Sequence, residues 1–371
     1  MYNRMYETEV FVCGGGPAGL AAAIAGRMAG FEVTVADFAQ APIDKVCGEG
    51  LMPEGLSALA RLGVKLSPSE GHAFEGIRFS DPAGETSGKF TSGHGLGLRR
   101  PVLHKAMIDR AVELGVSMLW GVRVSALSSN GVTVNGRSIR ARWVVCADGQ
   151  HSKLRDLAGL SAGTSEPRRF GFRRHYRIEP WSNLVEVYWT DLGQMYITPV
   201  GHDEINVAFL TRRTGLRLNE VLPHFPEIRD RLAGAGFTRV KGAVTATRKL
   251  RAIQRNRIAL IGDASGSVDP VTGEGLALAF QQAMELADAM QRDDLAVYEA
   301  AHRRISRLPH VMAELLLAMD AHPNLRHRVF RAFSTDQNLF QQIIEVHTGA
   351  LSPMQFGVRG SLLLGWRLLT A

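Results

Sequence analysis

Gly14, Gly16 and Gly19 stand at G-x-G-x-x-G spacing between a buried-type apolar run, Val10–Cys13, and an Ala-rich stretch, Pro17–Met28. This spacing suits a pyrophosphate. The first Gly permits a tight turn, the second lets backbone N–H groups approach the phosphates, and the third lets helix pack on strand. Pro17 and Ala18 open the helix, where the missing N–H of proline costs nothing and the positive dipole end faces an anion. Asp37 closes a second apolar run, Phe31–Ala36, about twenty residues on, where a ribose-binding carboxylate belongs. Asp148-Gly149 and Gly262-Asp263 each follow an apolar strand, and Cys47, His175 and Tyr196 carry side chains able to move protons. Strand, helix, second strand and acid in register indicate dinucleotide binding.

The elements that must position these residues follow from periodicity. A helix over Pro53–Leu62, strands within Ala73–Phe90 turning at Asp81-Pro82-Ala83-Gly84, and a helix carrying Leu103, Met107, Ile108, Ala111 and Leu114 are predicted. Asn130-Gly131 and Asn135-Gly136 signal hairpins, and Trp143–Ala147 is a further apolar strand. Residues 169–210 form a β-rich block, in which Ile205, Val207 and Phe209 alternate with Asn206 and Ala208. One helix over Asn219–Ala233 and a strand over Lys241–Thr247 come next. Ile258–Ile261 is a strand with Asp263 at its carboxyl end, and a long helix starts near Gly273. From Leu295 the chain reads as helical, and Arg303, Arg304, Arg307, Arg326, Arg328 and Arg331 read as solvated faces. Ligands of open α/β sheets sit at the carboxyl ends of strands, so Gly14, Asp148 and Asp263 are expected to converge on one cofactor.

At 371 residues, with 45% apolar and 21% charged residues, the chain has the composition of a globular protein of two domains. Its net charge of +7 suits anionic ligands or contact with acidic surfaces. No basic run is interleaved with aromatics, which argues against nucleic acid. The first ten residues lack a signal peptide's apolar region, and no apolar run reaches the length of a membrane span. Three cysteines cannot all pair; Cys13 and Cys146 read as core residues in a reducing cytoplasm.

The order GGGPAG, ADGQHSKLR (Ala147–Arg155) and GDASGSVDPVTGEG (Gly262–Gly275) resembles that of FAD-dependent aromatic hydroxylases and geranylgeranyl reductases, over most of the chain. The resemblance implies an α/β fold. A glutathione-reductase-type, Rossmann-like FAD-binding domain would occupy residues 1–72, 98–165 and 250–294. An inserted antiparallel β-sheet substrate domain would occupy 73–97 and 166–249, with C-terminal helices in 295–371. It carries Gly14, Gly16 and Gly19 over as the pyrophosphate turn and Asp37 as the ribose acid. Arg100, beside Arg99, becomes the FAD-contacting Arg; Asp148 and Gly149 become the pair shared by FAD and nicotinamide; Asp263 becomes the ribityl carboxylate. Pro270, Gly273 and Gly275 shape a turn whose backbone can lie close to a flat ring, and the helix that follows points its dipole at that ring. KVCGEGL (Lys45–Leu51) is similar to the K-x-C-G-G-G-L loop of geranylgeranyl reductases near the flavin, with Glu49 replacing a Gly. MYITPVG (Met195–Gly201) keeps only Tyr196 and Pro199 of the Y-x-W-x-F-P segment those reductases carry.

The resemblance implies an FAD-dependent oxidoreductase using NADPH or NADH, or a separate redox partner, since no second G-x-G-x-x-G is visible. The first expectation is a monooxygenase hydroxylating a hydrophobic aromatic or polyketide-like small molecule, with His175 orienting or deprotonating a phenol. The alternative is a geranylgeranyl-reductase-type enzyme reducing C=C bonds of a lipid or prenyl substrate, with Cys47 or Tyr196 near the proton-donating position. A redox-inactive FAD-binding protein is the third reading. No metal site is expected; peripheral membrane contact is compatible with the basic charge.

Overall fold

Val10, Phe11 and Val12 have no exposed surface, because the strand Glu7–Cys13 lies at the centre of a parallel sheet covered on both faces. The computed structural model describes residues 7–165, 168–352 and 357. Across the sheet the strands run Gln254–Arg255, Ile258–Leu260, Arg137–Cys146, Glu7–Cys13, Val33–Asp37 and Ser117–Trp120. All neighbours are parallel except the first pair. The register aligns Cys13 with Ala36 on one side and Cys146 on the other, so the glycine turn and Asp148 leave the sheet side by side. A meander, Val124–Ser128 and Gly131–Val134, pairs back onto Arg137–Cys146, with both Asn-Gly steps in its turns. The helix Pro17–Met28 is buried from Leu20 through Gly26 between the parallel sheet and the helices Gly275–Gln291 and Arg100–Glu113, its small residues permitting close approach.

The second sheet is antiparallel but for one pair. Its order is Gly236–Phe237, Arg169–Arg177, Glu204–Thr211, Gly193–Pro199, Leu184–Thr190, Gly76–Asp81, Gly84–Lys89, with Lys241–Thr245 also on Arg169–Arg177. The Asp81–Gly84 turn closes its last hairpin. A small third sheet joins Gly50–Leu51, Gly95–Leu98 and Gly71–Phe74, tying the Lys45–Leu51 loop to the junction of the two large sheets. Both faces of the antiparallel sheet are covered. One face, with Met195, Ile197, Val207 and Phe209, packs on short helices near Phe225. The other carries Trp189 and Val187 against Val271 and the helices Leu295–Ala321, Pro323–Thr335 and Gln337–His347. Asn206, on the polar side of the alternation, is therefore fully buried at the junction with the cofactor loop.

Two expectations differ from the structure. Asn219–Ala233 is broken into Leu218–Val221, Leu222–His224 and Pro226–Arg231, because Pro223 and Pro226 cannot donate within one helix. Arg326 is 1% exposed and not part of a solvated face: its guanidinium donates to Asp81 and Asp191, fastening the C-terminal helices to the sheet edge. Arg303, Arg304, Arg307, Arg328 and Arg331 are exposed. Beyond Ser352 the expected helical remainder, apart from Gly357, lies outside the described residues. No described helix is long and apolar enough to cross a membrane.

Candidate functional site

Glycine is required at the end of the first strand by contact as well as by conformation. Gly14 holds φ +115°, and a Cβ there would run into the Ala147 carbonyl; a Cβ on Gly19 would overlap the Gly14 carbonyl. Gly16 differs, since a Cβ there would meet no protein atom within 4 Å. The space in front of Gly16, at the N-terminus of the helix Pro17–Met28, is the part of the turn left open for a ligand. Ala18 meets the third motif from the other side: a Cβ on Gly262, which holds φ +59°, would lie 2.6 Å from its methyl.

Asp37 ends the second strand and accepts from the Gly15 and Ala39 N–H groups, both at 2.7 Å. His104 is fully buried. Its Nδ1 accepts from the Ile43 N–H at 3.2 Å, which leaves Nε2 to donate to the Gly15 carbonyl at 2.7 Å. Burial lowers its pKa, so the neutral form holds the glycine turn. Sequence reasoning missed His104; its position one turn after Arg100 on the helix Arg100–Glu113 was the available signal.

Asp148 accepts from Ser152 Oγ at 2.5 Å and from the Leu154 N–H at 3.2 Å, which fixes the turn around Gly149. Lys45 Nζ lies 3.8 Å from where a Gly149 Cβ would be. Arg155, 3% exposed, donates to the Gln150 and Ala264 carbonyls and so staples the second motif to the third. Asp263 opens to solvent at the floor of this cleft. The protein surrounding it raises its pKa, while Lys45 and Arg100 pull the other way. Arg100 is the plainest pointer to an absent anion: its Nη1 is buried with no hydrogen-bond partner. The glycine cradle, the gap at Gly16 and this unpartnered guanidinium nitrogen fit FAD, which would lie from Gly14–Gly19 past Arg100 and Asp263 to the Pro270–Gly273 turn.

That turn is held from the second sheet. Asp269 accepts from the Val271 N–H at 3.0 Å and from Arg169 Nη1 at 2.6 Å. Arg169, 1% exposed, also reaches Gln194, which bonds Asp320. Gly273 holds φ +72°, and Gly275 starts the following helix. Arg169 gave no sequence signal, because its partner lies 100 residues away.

The Lys45–Leu51 loop crosses between cleft and sheet. Cys47 is half-buried; its Sγ accepts from the Glu49 N–H at 3.4 Å, and its carbonyl accepts from Asn206 Nδ2 at 3.0 Å. Glu49 holds φ +60°, a region that favours Gly, yet its side chain is buried. It accepts from the Arg100 N–H at 2.8 Å, meets His175 Nε2 at 2.5 Å and pairs with Arg173 at 3.2 Å. Arg173 also pairs with Asp44, which Lys241 holds from outside. Burial opposes charge on Asp44, but Lys241, Arg173 and Arg99 outweigh it and lower its pKa. His175 is thus enclosed, 2% exposed, between Glu49 and Arg173. Tyr196 lies on the same sheet face toward Val271; its phenol is buried without a partner, and burial pushes its pKa well up. Arg99 is taken by Glu204 at 2.7 Å.

Residues 7–186 match the model of the FAD binding domain family. The chain is 28% identical to menaquinone reductase of Mycobacterium tuberculosis over 324 residues, 78% of each chain. It is 29% identical to digeranylgeranylglycerophospholipid reductase 1 of Methanopyrus kandleri over 316 residues, 78% of this chain and 82% of that one. A flavoprotein/dehydrogenase from Cytophaga hutchinsonii superposes with a TM-score of 0.83 over 98% of both chains at 18% identity, a likeness of fold. The three motifs thus meet in a chain whose residues 7–186 match the FAD binding domain family and which is similar over most of its length to these two reductases.

Proposed function

We propose that this oxidoreductase is a reductase, adding hydrogen across a C=C bond of an apolar, isoprenoid-bearing lipid or quinone with NADPH or NADH as donor. The observation that carries the reading is the division of labour on either side of Glu49. His175, the residue suited to deprotonating a phenol, is spent in a buried cluster with Glu49 and Arg173. Cys47, two residues before Glu49, is half-buried on the loop that also carries Lys45, whose Nζ lies beside Gly149. FAD, when bound, would supply the hydride, and Cys47 is the residue assigned here to give the proton. The substrate class is drawn from the relatives, whose names are those of reductases of menaquinone and of a digeranylgeranyl lipid.

Anaerobic turnover with prenylated quinones and polyprenyl lipids tests this reading, with products weighed for a gain of two hydrogens. Cys47→Ser, a far weaker acid of similar size, should lower turnover ~10²-fold while the donor still reduces the flavin normally. A second reading, hydroxylation, is favoured by the strand Gly193–Pro199, where Met195-Tyr196-Ile197-Thr198-Pro199 lacks the aromatic pattern of the reductases it resembles. A product that forms only with oxygen and gains one oxygen atom would select that reading over reduction.

A further inference from the structure

Behind the Pro270–Gly273 turn three ionisable groups meet from three elements, and neither the fold nor the proposed hydrogenation uses them. Glu274 directly follows the turn, Glu54 lies in the first turn of the helix Pro53–Arg61, and His347 ends the last described helix, Gln337–His347. The Glu274 and His347 side chains are 14% and 8% exposed. Glu274 Oε2 and His347 Nδ1 are both buried without hydrogen-bond partners, 3.8 Å from each other. The other side of the imidazole lies against the Thr272 carbonyl, inside the turn itself. Two facing orphan atoms of matched type, an acid oxygen and an imidazole nitrogen, need one proton between them and a small closure to become a hydrogen bond.

We propose that Glu274 and His347 position the cofactor turn as a pair: the protonated Glu274 carboxyl donates to Nδ1, fixing the tautomer in which Nε2–H holds the Thr272 carbonyl. The inference rests on the turn's role at the FAD. The charged groups around the pair agree with it. Burial raises Glu274 to about 8, so it keeps its proton at neutral pH. Burial lowers His347, with Glu54 and the Thr272 carbonyl opposing, so the imidazole is neutral and free to accept. Burial raises Glu54 as well, with its own backbone hydrogen bond and His347 opposing. Once Glu274 ionises, its carboxylate has no donor to face, and the clasp between the C-terminal helices and the turn is lost.

Hydrogen exchange of the Gly273 and Glu274 amides, which bond the Pro270 carbonyl and Thr272 Oγ1, reads the clasp directly. After correction for intrinsic rates, protection should fall ~10-fold between pH 7 and pH 9 in the wild type, as each pH step beyond the pKa shifts the acid tenfold toward carboxylate. Glu274→Gln, a donor that cannot ionise, should hold the pH 7 level throughout, and His347→Ala should be weakly protected at both values. Release of FAD from the holoprotein should follow the same pattern. A wild type with no pH dependence, or a folded His347→Ala protein protected like the wild type, overturns the proposal. If Glu274→Gln does not fold, the wild type and His347→Ala decide alone. The exchange arm needs no bound FAD, so a failure of the FAD reading is seen separately, as absence of flavin from the wild type at pH 7.

Discussion

Glu49 Oε2 and His175 Nε2 meet at 2.5 Å across the junction of the cofactor loop and the antiparallel sheet, and Glu49 holds a left-handed backbone to make the contact. Strain of this kind costs about 1–3 kcal/mol and persists only where the surroundings over-determine it. Here the Arg100 N–H, Arg173 and His175 do so together. Removing one member of a buried ionic cluster leaves the others uncompensated. Glu49→Ala should therefore destabilise the protein by ~3–5 kcal/mol in urea unfolding. Glu49→Gly relieves the backbone strain but still loses the cluster, and should recover only about 1 kcal/mol of that loss.

The glycines of the first turn should separate cofactor binding from folding. Gly19→Val places a side chain inside the Gly14 carbonyl and should prevent folding, as a lost cooperative melting transition would show. Gly16→Val points into space empty of protein, so the apoprotein should melt as the wild type does while flavin content after purification drops at least ~10-fold. Wild-type flavin content in the Gly16 variant would remove that gap from the phosphate site.

The two acidic motifs should respond in opposite ways. Asp263 faces the cleft, and Asp263→Ala should weaken FAD binding about tenfold or more, the usual loss of a hydrogen bond to a charged group, without changing apoprotein stability. Asp148 is already engaged by Ser152 and the Leu154 N–H. Asp148→Ala should lower apoprotein stability by ~1–3 kcal/mol, with a smaller effect on FAD affinity. Fluorescence titration with FAD and chemical unfolding measure both on the same samples.

His302 provides the pH dependence. It is buried, hydrogen-bonded to Ser265 Oγ at 2.9 Å, and burial lowers its pKa from 6.5 to about 4. The unfolded chain then binds the proton more tightly than the folded one, so the stabilising contribution is complete above pH 6.5 and is lost as pH falls toward 4. A shift of that size corresponds to about 3 kcal/mol. His302→Gln should flatten the stability curve between pH 4 and 6.5; an unchanged acid slope would place the sensitivity elsewhere.

Local signals on neighbouring residues were legible in the chain. The first helix runs Pro17–Met28 as its Pro and Ala content predicts, and the Asn-Gly steps at Asn130 and Asn135 fall in hairpin turns. The convergence of Gly14, Asp148 and Asp263 was readable as well, because each follows a short apolar strand and parallel strands end together. Pairing across the sheets was not. Arg169 finds Asp269, Arg326 finds Asp81, and Glu49 finds His175, partners 100, 245 and 126 positions apart in the chain. Each arginine has the composition of a surface residue, and only the fold supplies the acid that takes it inside. Glu49 carried one hint, a charged residue in a loop whose pattern calls for Gly.

The order of strands in the parallel sheet has a consequence for the protein's birth on the ribosome. Ile258–Leu260 pairs with Arg137–Cys146, more than a hundred residues earlier, and brings Asp263 and the Pro270–Gly273 turn with it. Chains emerge at roughly 5–20 residues per second, so the nascent sheet waits on the order of ten seconds with that edge bare while the antiparallel sheet is made. The glycine turn and Asp148 can be in place during this interval, but the cleft has no floor. Cofactor capture is thereby a late event, and the newborn sheet edge needs shielding until the last strand arrives.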